Sequence, residues 1–296
     1  HANLQHSRPK TYCHMIPDSP IYELIYPGGT LTLDKPRIMG ILNITPDSFL
    51  ASSRTSVENG LLQRAEQMIA EGADILDFGG QSTRPGAERL DAHSEMARVI
   101  PAIKMVREAF PKICISIDTF YSEVAEAACA AGANIINDIS GGTLDPLMYS
   151  TAGRLGVPYI LTHIQGEPQT MQRNPIYENA VADVLNYLNE KIALLASKGV
   201  HQIIIDPGFG FGKTMQHNLQ LLRDLHLFGA LNRPILAGLS RKKTLQLIVE
   251  KKAEETLNAT TVANTIALMN NVSILRVHDV KEAKEAILII EAMKSA

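Results

Sequence analysis

The sequence predicts an α/β protein, a (β/α)8 TIM barrel with an N-terminal β-hairpin at the barrel bottom. From about residue 35 onward, short β-rich runs alternate with amphipathic helical patterns, and this alternation is typical of parallel βαβ units. Eight such repeats within ~250 residues favour a closed barrel over an open doubly wound sheet. The third observation is that nearly every predicted strand ends in a polar residue.

The elements follow one another in a regular order. The predicted barrel strands are 37–43, 75–78, 114–118, 135–137, 159–162, 203–206, 235–238 and 274–277. The predicted helices are 57–71, 94–110, 121–131, 147–154, 180–198, 218–225, 242–250, 257–270 and 281–293. Several of these helices end at a glycine, which supplies a left-handed stop: Gly72, Gly132, Gly156 and Gly199. Before the first strand, segments 21–26 and 30–33 flank Pro27-Gly28-Gly29 and predict the hairpin.

Composition narrows the class of protein. We expect residues 1–20 to be an extension and residues 21–296 to form one domain. A net charge of −3 gives no electrostatic case for a nucleic-acid partner, and no run reaches the ~18 apolar residues of a membrane span. The three cysteines form no CxxC pair, so buried reduced thiols in a cytoplasmic protein are the expectation.

The polar strand ends are the main functional signal. They are Asn43, Asp77, Asp118, Asn137 with Asp138, His163, Asp206, Arg276 and His278. One aspartate at a strand end is more often a helix cap or a loop anchor. In a parallel barrel, however, all these positions converge on the C-terminal face, where barrel enzymes place their active sites. The whole set therefore favours a shared site.

This face divides into two chemical halves. Asp77, Asp118, Asn137 and Asp206 offer acceptors and an amide that suit a flat heterocycle with NH groups. The other half comes from strands one, two and eight, and the first and last strands touch where the barrel closes. Its members are Asn43, Arg84, Arg276 and His278, which predict an anion pocket for phosphates.

Two loops and the metal question complete this interpretation. The GxGxG at 208–212 either lets the backbone pass close to a ligand, with Phe211 offering a ring, or is a tight turn with a packed Phe. The segment 238–242 starts a helix after strand seven, where amide groups and Lys242 could bind an anionic or carbonyl group. No HExxH or paired-cysteine motif occurs. Any metal ion is expected to be Mg²⁺, held by an oxygen such as that of Asn43 and by substrate phosphates.

Seven motifs, in order along the chain, resemble those of the dihydropteroate synthases. They are RIMGILNITPDSF (37–49), GGQSTRPG (79–86), ISIDT (115–119), IIND (135–138), DPGFGFGK (206–213), GLSRK (238–242) and RVHD (276–279). The resemblance implies a pterin-binding barrel that condenses 6-hydroxymethyl-7,8-dihydropterin pyrophosphate with p-aminobenzoate. It also implies a homodimer, a sulfonamide target and an SN1-like reaction, in which C–O cleavage precedes attack by the aniline nitrogen.

The resemblance also implies a role for individual residues. Those expected at the pterin are Thr83, Asp118, Asn137, Asp206, Phe211, Gly238, Lys242 and Arg276. Those expected at the pyrophosphate are Asn43, Arg84, Arg276 and His278, with Asn43 also at Mg²⁺ and Lys242 among the catalytic residues. Those expected at p-aminobenzoate are Phe49, Thr83, Pro85, Lys242 and Lys243.

Three positions depart from the family pattern. Lys243 stands where relatives usually have Ser, and we hypothesise that it adds a charge near the p-aminobenzoate carboxylate. Thr162 stands where many relatives have Met against the pterin, and Ala51-Ser52 replace the Asp-Gly of the first mobile loop. Because of the departure in the first loop, the resemblance predicts neither loop closure nor sulfonamide response.

Two rival functions share part of this pattern. A methyltetrahydrofolate methyltransferase would share the heterocycle carboxylates, but it would not need the STRPG loop, the SRK segment or the Arg-x-His pair. A non-catalytic pterin-binding protein would be signalled by loss of Asn43, Arg84, Lys242 or His278, and all four are present. The sequence therefore favours the synthase.

Overall fold

The computed structural model describes residues 20–44, 54–81, 89–166, 171 and 175–296. In this part of the chain, eight parallel strands form a nearly closed barrel surrounded by helices, which confirms the predicted fold. The hairpin strands are β1 (Tyr22–Tyr26) and β2 (Gly29–Leu33), which pair antiparallel. The barrel strands are β3 (Arg37–Asn43), β4 (Ile75–Gly79), β5 (Cys114–Asp118), β6 (Ile135–Asp138), β7 (Tyr159–Thr162), β8 (Ile203–Asp206), β9 (Leu236–Ala237) and β10 (Ile274–Val277).

Helices follow the barrel strands on the outside. They are α1 (Arg54–Glu71), α2 (Ala92–Ala109), α3 (Ser122–Ala130), α4 (Met148–Leu155), α5 (Ala180–Ser197), α6 (Met215–Arg223), α7 (Lys243–Val249), α8 (Leu257–Met269) and α9 (Val280–Lys294). The helix α6 begins three residues before the predicted start, because the Thr214 side chain accepts the His217 amide and caps it. Two 3₁₀ segments, Leu225–Leu231 and Ala253–Glu255, were not predicted.

The barrel closes between β8 and β9. The strand order is β8-β7-β6-β5-β4-β3-β10-β9, so the first and last barrel strands, β3 and β10, are neighbours. The remaining gap is bridged by one parallel pair, Ile205 with Ile235, beside the two-residue strand β9. The three strands predicted to form the anion half, one, two and eight, are β3, β4 and β10, which are consecutive neighbours in the sheet.

Alternation along each strand separates the interior from the helix layer. One set of strand residues, such as Ile117 and Leu161, is buried against the helices. The lowest interior layer has one residue from every barrel strand, packed with Leu24 and Leu33 of the hairpin: Met39, Ile75, Cys114, Ile135, Ile160, Ile204, Leu236 and Ile274. The Gln202 amide also donates to Ile25 O at 2.7 Å. These contacts place the hairpin at the barrel bottom, as predicted.

Two further predictions bear on the class of protein. Cys114 and Cys129 are free thiols, and burial raises the pKa of each to about 12, which keeps both protonated. Within the described ranges, every helix is too short or too polar to cross a membrane.

Candidate active site

The centre of the barrel mouth is a cluster of ion pairs and hydrogen bonds between side chains of four strands. Arg276 of β10 donates from Nε to Asp77 Oδ2 at 2.7 Å and from Nη2 to Asp118 Oδ2 at 2.6 Å. Asn137 of β6 donates to the same Asp77 oxygen at 3.1 Å. The two predicted halves of the face therefore meet at one guanidinium, because Arg276 touches the carboxylates of the heterocycle half.

Burial sets the charges of this cluster. It raises the pKa of Asp118 to about 7, with Arg276 opposing the shift and Asp77 adding to it. Burial alone would lower the pKa of Arg276, but Asp77 and Asp118 together raise it. Arg276 is therefore a permanent cation, whereas the proton on Asp118 is exchangeable near neutral pH.

A second group joins β8 to the segment before α7. Asp206 is buried and accepts the Gly208 amide at 2.8 Å, and burial raises its pKa although that amide and Lys242 oppose the shift. The Lys242 ammonium lies 4.4 Å from the centre of the Phe211 ring, a cation–π contact. Burial and the neighbouring Arg276 lower the pKa of Lys242 to about 8.

His278 follows β10 and lies against Ser240. Its Nδ1 is 2.9 Å from Ser240 Oγ, and the same oxygen accepts the His278 amide. Burial, with Arg241 and Arg276 nearby, lowers the pKa of His278 to about 4. The imidazole is neutral at pH 7, so its contribution to an anion pocket is a hydrogen bond rather than a charge.

Asn43 and two glycines lie at the ends of their strands, at the rim of the mouth. Asn43 is exposed at the end of β3 and pairs in register with Gly79, which pairs in turn with Asp118. A Cβ built at Gly79 would lie 3.5 Å from Asn43 Oδ1, and one built at Gly238 would meet no atom within 4 Å. Among the described residues, a side chain at Gly79 would therefore contact the Asn43 amide oxygen.

Some polar atoms of β4, β5 and β7 are buried in the barrel interior. Asp77 Oδ1, Ser116 Oγ and Thr162 Oγ1 are buried and have no hydrogen-bond partner within the part of the chain that the structure describes. Buried polar atoms are normally satisfied, so this interior suits a polar ligand or water. Thr162, one of the three departures from the family pattern, lies on the inner side of β7.

Two of the polar strand ends lie outside the site. Asp138 points to the helix layer, where it accepts Tyr159 Oη at 2.6 Å and the Ser140 hydroxyl at 2.6 Å. His163 is likewise on the outer side, with its ring 4.7 Å from that of Tyr187. Each follows an inward residue, and successive strand residues face opposite ways. Including them in the shared face was wrong.

The predicted p-aminobenzoate residues are mostly outside the described residues. Phe49, Thr83 and Pro85 fall there, as do Ala51-Ser52 of the first loop and Arg84, which was expected at the pyrophosphate. Lys243 is exposed at the first position of α7, directly after Lys242.

Two residues near the mouth were missed by the sequence interpretation. Ser240 holds His278, and Lys213 is a buried lysine at the end of the glycine-rich loop. Both lie inside recognised motifs, but their partners are distant in sequence.

Residues 39–278 match the family described as "Pterin binding enzyme". Dihydropteroate synthase of Escherichia coli (strain K12) is 40% identical over 276 residues, which cover 93% of this chain and 97% of that protein. Dihydropteroate synthase of Haemophilus influenzae is 40% identical over 268 residues, 90% of this chain and 97% of that protein.

Solved structures agree with these relatives. The Yersinia pestis dihydropteroate synthase with a sulfonamide drug superposes with a TM-score of 0.87 at 36% identity, covering 93% of this chain and 100% of that one. The Xanthomonas albilineans enzyme with 4-aminobenzoic acid gives a TM-score of 0.87 at 37% identity, covering 94% and 99%. The Xanthomonas albilineans enzyme in complex with 7,8-dihydropteroate gives a TM-score of 0.84 at 34% identity. The match covers 93% of this chain and 100% of that one.

The barrel is that of a pterin-binding enzyme, because the family match covers residues 39–278. The chain belongs to the dihydropteroate synthase family, as the resemblance of its motifs predicts. The prediction that it is an enzyme is confirmed with it.

Proposed function

We propose that this chain condenses 6-hydroxymethyl-7,8-dihydropterin pyrophosphate with p-aminobenzoate, giving 7,8-dihydropteroate and pyrophosphate. The observation that supports this most is the contact of Arg276 with both Asp77 and Asp118. It puts a permanent cation beside buried acceptors. A ring with NH donors and a pyrophosphate tail can therefore use one continuous site.

On the pterin side, the carboxylates of Asp206 and Asp118 accept hydrogen bonds from the NH groups of the ring. The Asn137 amide can both accept and donate. Ionised carboxylates only accept, whereas a protonated Asp118 also donates, so its raised pKa widens the donor–acceptor patterns that fit. Lys242 lies between Phe211 and the Asp206 side of the mouth, where an ammonium can donate to a ring oxygen or nitrogen.

On the pyrophosphate side, we propose that cleavage precedes attack. The bond between the pterin methylene carbon and the pyrophosphate oxygen breaks, and its electron pair leaves with that oxygen. Arg276 and the neutral His278 stabilise the departing charge by hydrogen bonds. The aniline nitrogen then bonds to the cationic carbon and releases a proton to solvent or to the leaving group.

We propose that Mg²⁺ assists at Asn43. Its amide oxygen is exposed at the mouth, and in the described ranges no group of three His, Cys, Asp or Glu could hold a metal ion. One hard oxygen suits an ion held largely by substrate phosphates. When bound, Mg²⁺ would neutralise charge on the pyrophosphate. Asn43→Ala is expected to raise the Mg²⁺ concentration that gives half-maximal activity, without changing pterin affinity measured in the absence of Mg²⁺.

We propose that Lys243 contributes to the p-aminobenzoate subsite. It is exposed and adjacent to Lys242, and an ammonium near a carboxylate is favourable. Lys243→Ser is expected to raise the KM for p-aminobenzoate and to leave the KM for the pterin substrate unchanged. An unchanged KM for p-aminobenzoate would exclude this role.

The reaction is tested by pyrophosphate release on mixing both substrates with Mg²⁺. The control reactions omit p-aminobenzoate, or use Asp206→Asn, which removes a buried carboxylate from the pterin side. Release that depends on both substrates and is lost in the variant supports the proposal. Pterin binding without release above background would identify a non-catalytic binding protein.

We also propose a homodimer through α7, α8 and α9. Exposed apolar side chains cover these consecutive helices: Leu247, Ile248, Val249, Leu257, Val262, Ile266, Met269, Leu288, Ile289 and Met293. Patches of this kind mark interaction surfaces, whereas single exposed apolar residues do not.

The oligomer is measured by sedimentation velocity. Val262→Glu on α8 places a charge within the patch and is expected to shift the protein to a monomer. Leu194→Glu on α5 is the matched control, because Leu194 is also exposed but lies on another helix. A monomeric parent protein, or equal effects of both variants, would contradict this interface.

A further inference from the structure

A buried lysine lies inside the glycine-rich loop that follows β8. Lys213 is 3% exposed. Its Nζ donates to Gly208 O at 2.9 Å and to Phe211 O at 3.0 Å, and it is 2.8 Å from His163 Nδ1. His163 O lies 3.4 Å from the same atom, so four acceptors surround Lys213 Nζ. The ammonium form carries three N–H donors, and burial lowers its pKa to about 7 although Asp206 opposes the shift.

His163 is held in place to accept this contact. Its ring packs edge-on against Tyr187 at 4.7 Å and near Tyr177 at 6.0 Å. Burial, followed by the charge of Lys213, lowers the pKa of His163 to about 2, so the imidazole is neutral. The pair links β7 and its following loop to the loop after β8.

These contacts fix the course of the loop. Gly208 and Gly212 have φ of 71° and 60°, and a Cβ at either would overlap a backbone oxygen of the segment after β7. The loop therefore packs directly against the segment that follows β7. Its carbonyl groups at Gly208 and Phe211 point to Lys213 Nζ. Of the two interpretations of the GxGxG, these contacts favour the tight turn with a packed Phe. Gly208 and Gly212 meet protein backbone, and the Phe211 ring is buried.

The front of the same loop carries two groups of the pterin side. The Gly208 amide donates to Asp206 Oδ1 at 2.8 Å, while the Gly208 carbonyl accepts from Lys213. The Phe211 ring faces Lys242 at 4.4 Å, while the Phe211 carbonyl accepts from Lys213. Lys213 therefore bonds to both residues: Gly208, which donates to Asp206, and Phe211, whose ring contacts Lys242.

We propose that Lys213 is a positioning residue for the pterin subsite, a role that rests on the proposed function. It touches no substrate and acts through Gly208 and Phe211. Its replacement should therefore weaken pterin binding selectively, whereas a purely structural role would lower stability without this selectivity.

The test variant is Lys213→Met, which keeps the length of the side chain and removes the donors. Binding of 6-hydroxymethyl-7,8-dihydropterin pyrophosphate is measured by titration calorimetry without p-aminobenzoate. We expect the pterin Kd to rise about tenfold or more, as for the loss of two net hydrogen bonds. The KM for p-aminobenzoate should stay within about twofold of the parent value.

The matched control is Arg107→Met at the opposite end of the barrel. Arg107 also donates to several backbone carbonyls, those of Pro111, Ile113 and Gly132, all within 2.9 Å of its Nη atoms. The Arg107→Met variant should have a lower free energy of unfolding than the parent protein and the same pterin affinity. Equal weakening of pterin binding in both variants would show that Lys213 is merely structural.

His163→Phe provides a second, milder variant that keeps a ring between the tyrosines and removes the acceptor. We expect a smaller rise in pterin Kd in the same direction, and this variant decides the question if Lys213→Met does not fold. An unchanged pterin Kd in the folded variants, with a parent enzyme that releases pyrophosphate, overturns the inference alone. Absence of release by the parent enzyme overturns the proposed function instead.

Discussion

Arg276→Met should be the most informative single change at the mouth. The substitution removes the cation that bonds to Asp77, which is fully buried, and to Asp118, which is 8% exposed. Removing one partner of a buried ion pair typically costs about 3–5 kcal/mol, because it leaves an uncompensated charge. We expect a loss of this size in the free energy of unfolding at pH 8.

The loss should depend on pH in a defined direction. In the parent protein Arg276 opposes the rise that burial causes in the pKa of Asp118. Without the guanidinium the pKa of Asp118 rises further, so the folded variant binds more protons than the folded parent protein. Stability then falls as pH rises through that window, by about 1.4 kcal/mol per pH unit for each additional proton. Asp118 in the parent protein already has a pKa of about 7, so the folded variant holds its additional proton only above that pH. Between pH 5.5 and pH 8 the deficit should therefore grow by about 1.4 kcal/mol, nearly all of it above pH 7.

The assay is urea unfolding of both proteins at pH 5.5 and pH 8. Arg154→Met is the matched control, because Arg154 pairs with Glu126 at 2.9 Å while both side chains are more than half exposed. Such surface pairs contribute about 0–1 kcal/mol. A deficit for Arg276→Met that is below about 1 kcal/mol at pH 8, or that does not vary with pH, would refute this account of the cluster.

Two further predictions concern the groups beside the cluster. Because the pKa of Lys242 is lowered to about 8, its ammonium is lost as pH rises through that value. The kcat/KM for the pterin substrate should therefore fall on the alkaline side of pH 8. Lys242→Arg should move this limb to higher pH, and a limb that stays in place would assign it to another group. Ser240→Ala removes the oxygen 2.9 Å from His278 Nδ1 and should lower kcat about 2- to 10-fold, the effect of one hydrogen bond. An unchanged kcat would show that Ser240 does not orient this imidazole.

The barrel and most of its mouth could be predicted because strands carry their own pattern. Hydrophobic runs located the eight strands, and the polar ends pointed to one face. The same pattern also explains the errors. Asn137 and Asp138 are adjacent, as are Thr162 and His163, so only one member of each pair can face inward. Applying the alternation from Ile160 to Thr162 would have placed His163 outside.

Other features depend on contacts that local sequence does not encode. Lys213 and His163 are 50 residues apart, and a lysine in a polar-looking loop gives no sign that it is buried. Ser240 and His278 are 38 residues apart and meet only because β9 and β10 are neighbours. The pKa of His278, lowered to about 4, follows from that burial. The charge of a predicted site therefore needs the fold, even where the residue types are known.

The barrel bottom offers a prediction that separates stability from catalysis. Leu24 of the hairpin is 2% exposed and packs against the lowest interior layer. Leu24→Ala should therefore lower the free energy of unfolding by about 2–5 kcal/mol. In TIM barrels the bottom face serves stability and the top face carries the active site, so kcat and both KM values should stay close to those of the parent protein at a temperature where the variant is folded.

The neighbouring residue supplies the control for this experiment. Ile25 lies on the same strand but is 55% exposed, so Ile25→Ala should change stability by no more than about 0.5 kcal/mol. If Leu24→Ala lowered kcat in the folded enzyme, the hairpin would be coupled to the mouth through the barrel interior. Because the unpartnered Asp77 and Ser116 atoms lie directly above the lowest layer on β4 and β5, that interior would be the place to look for the coupling.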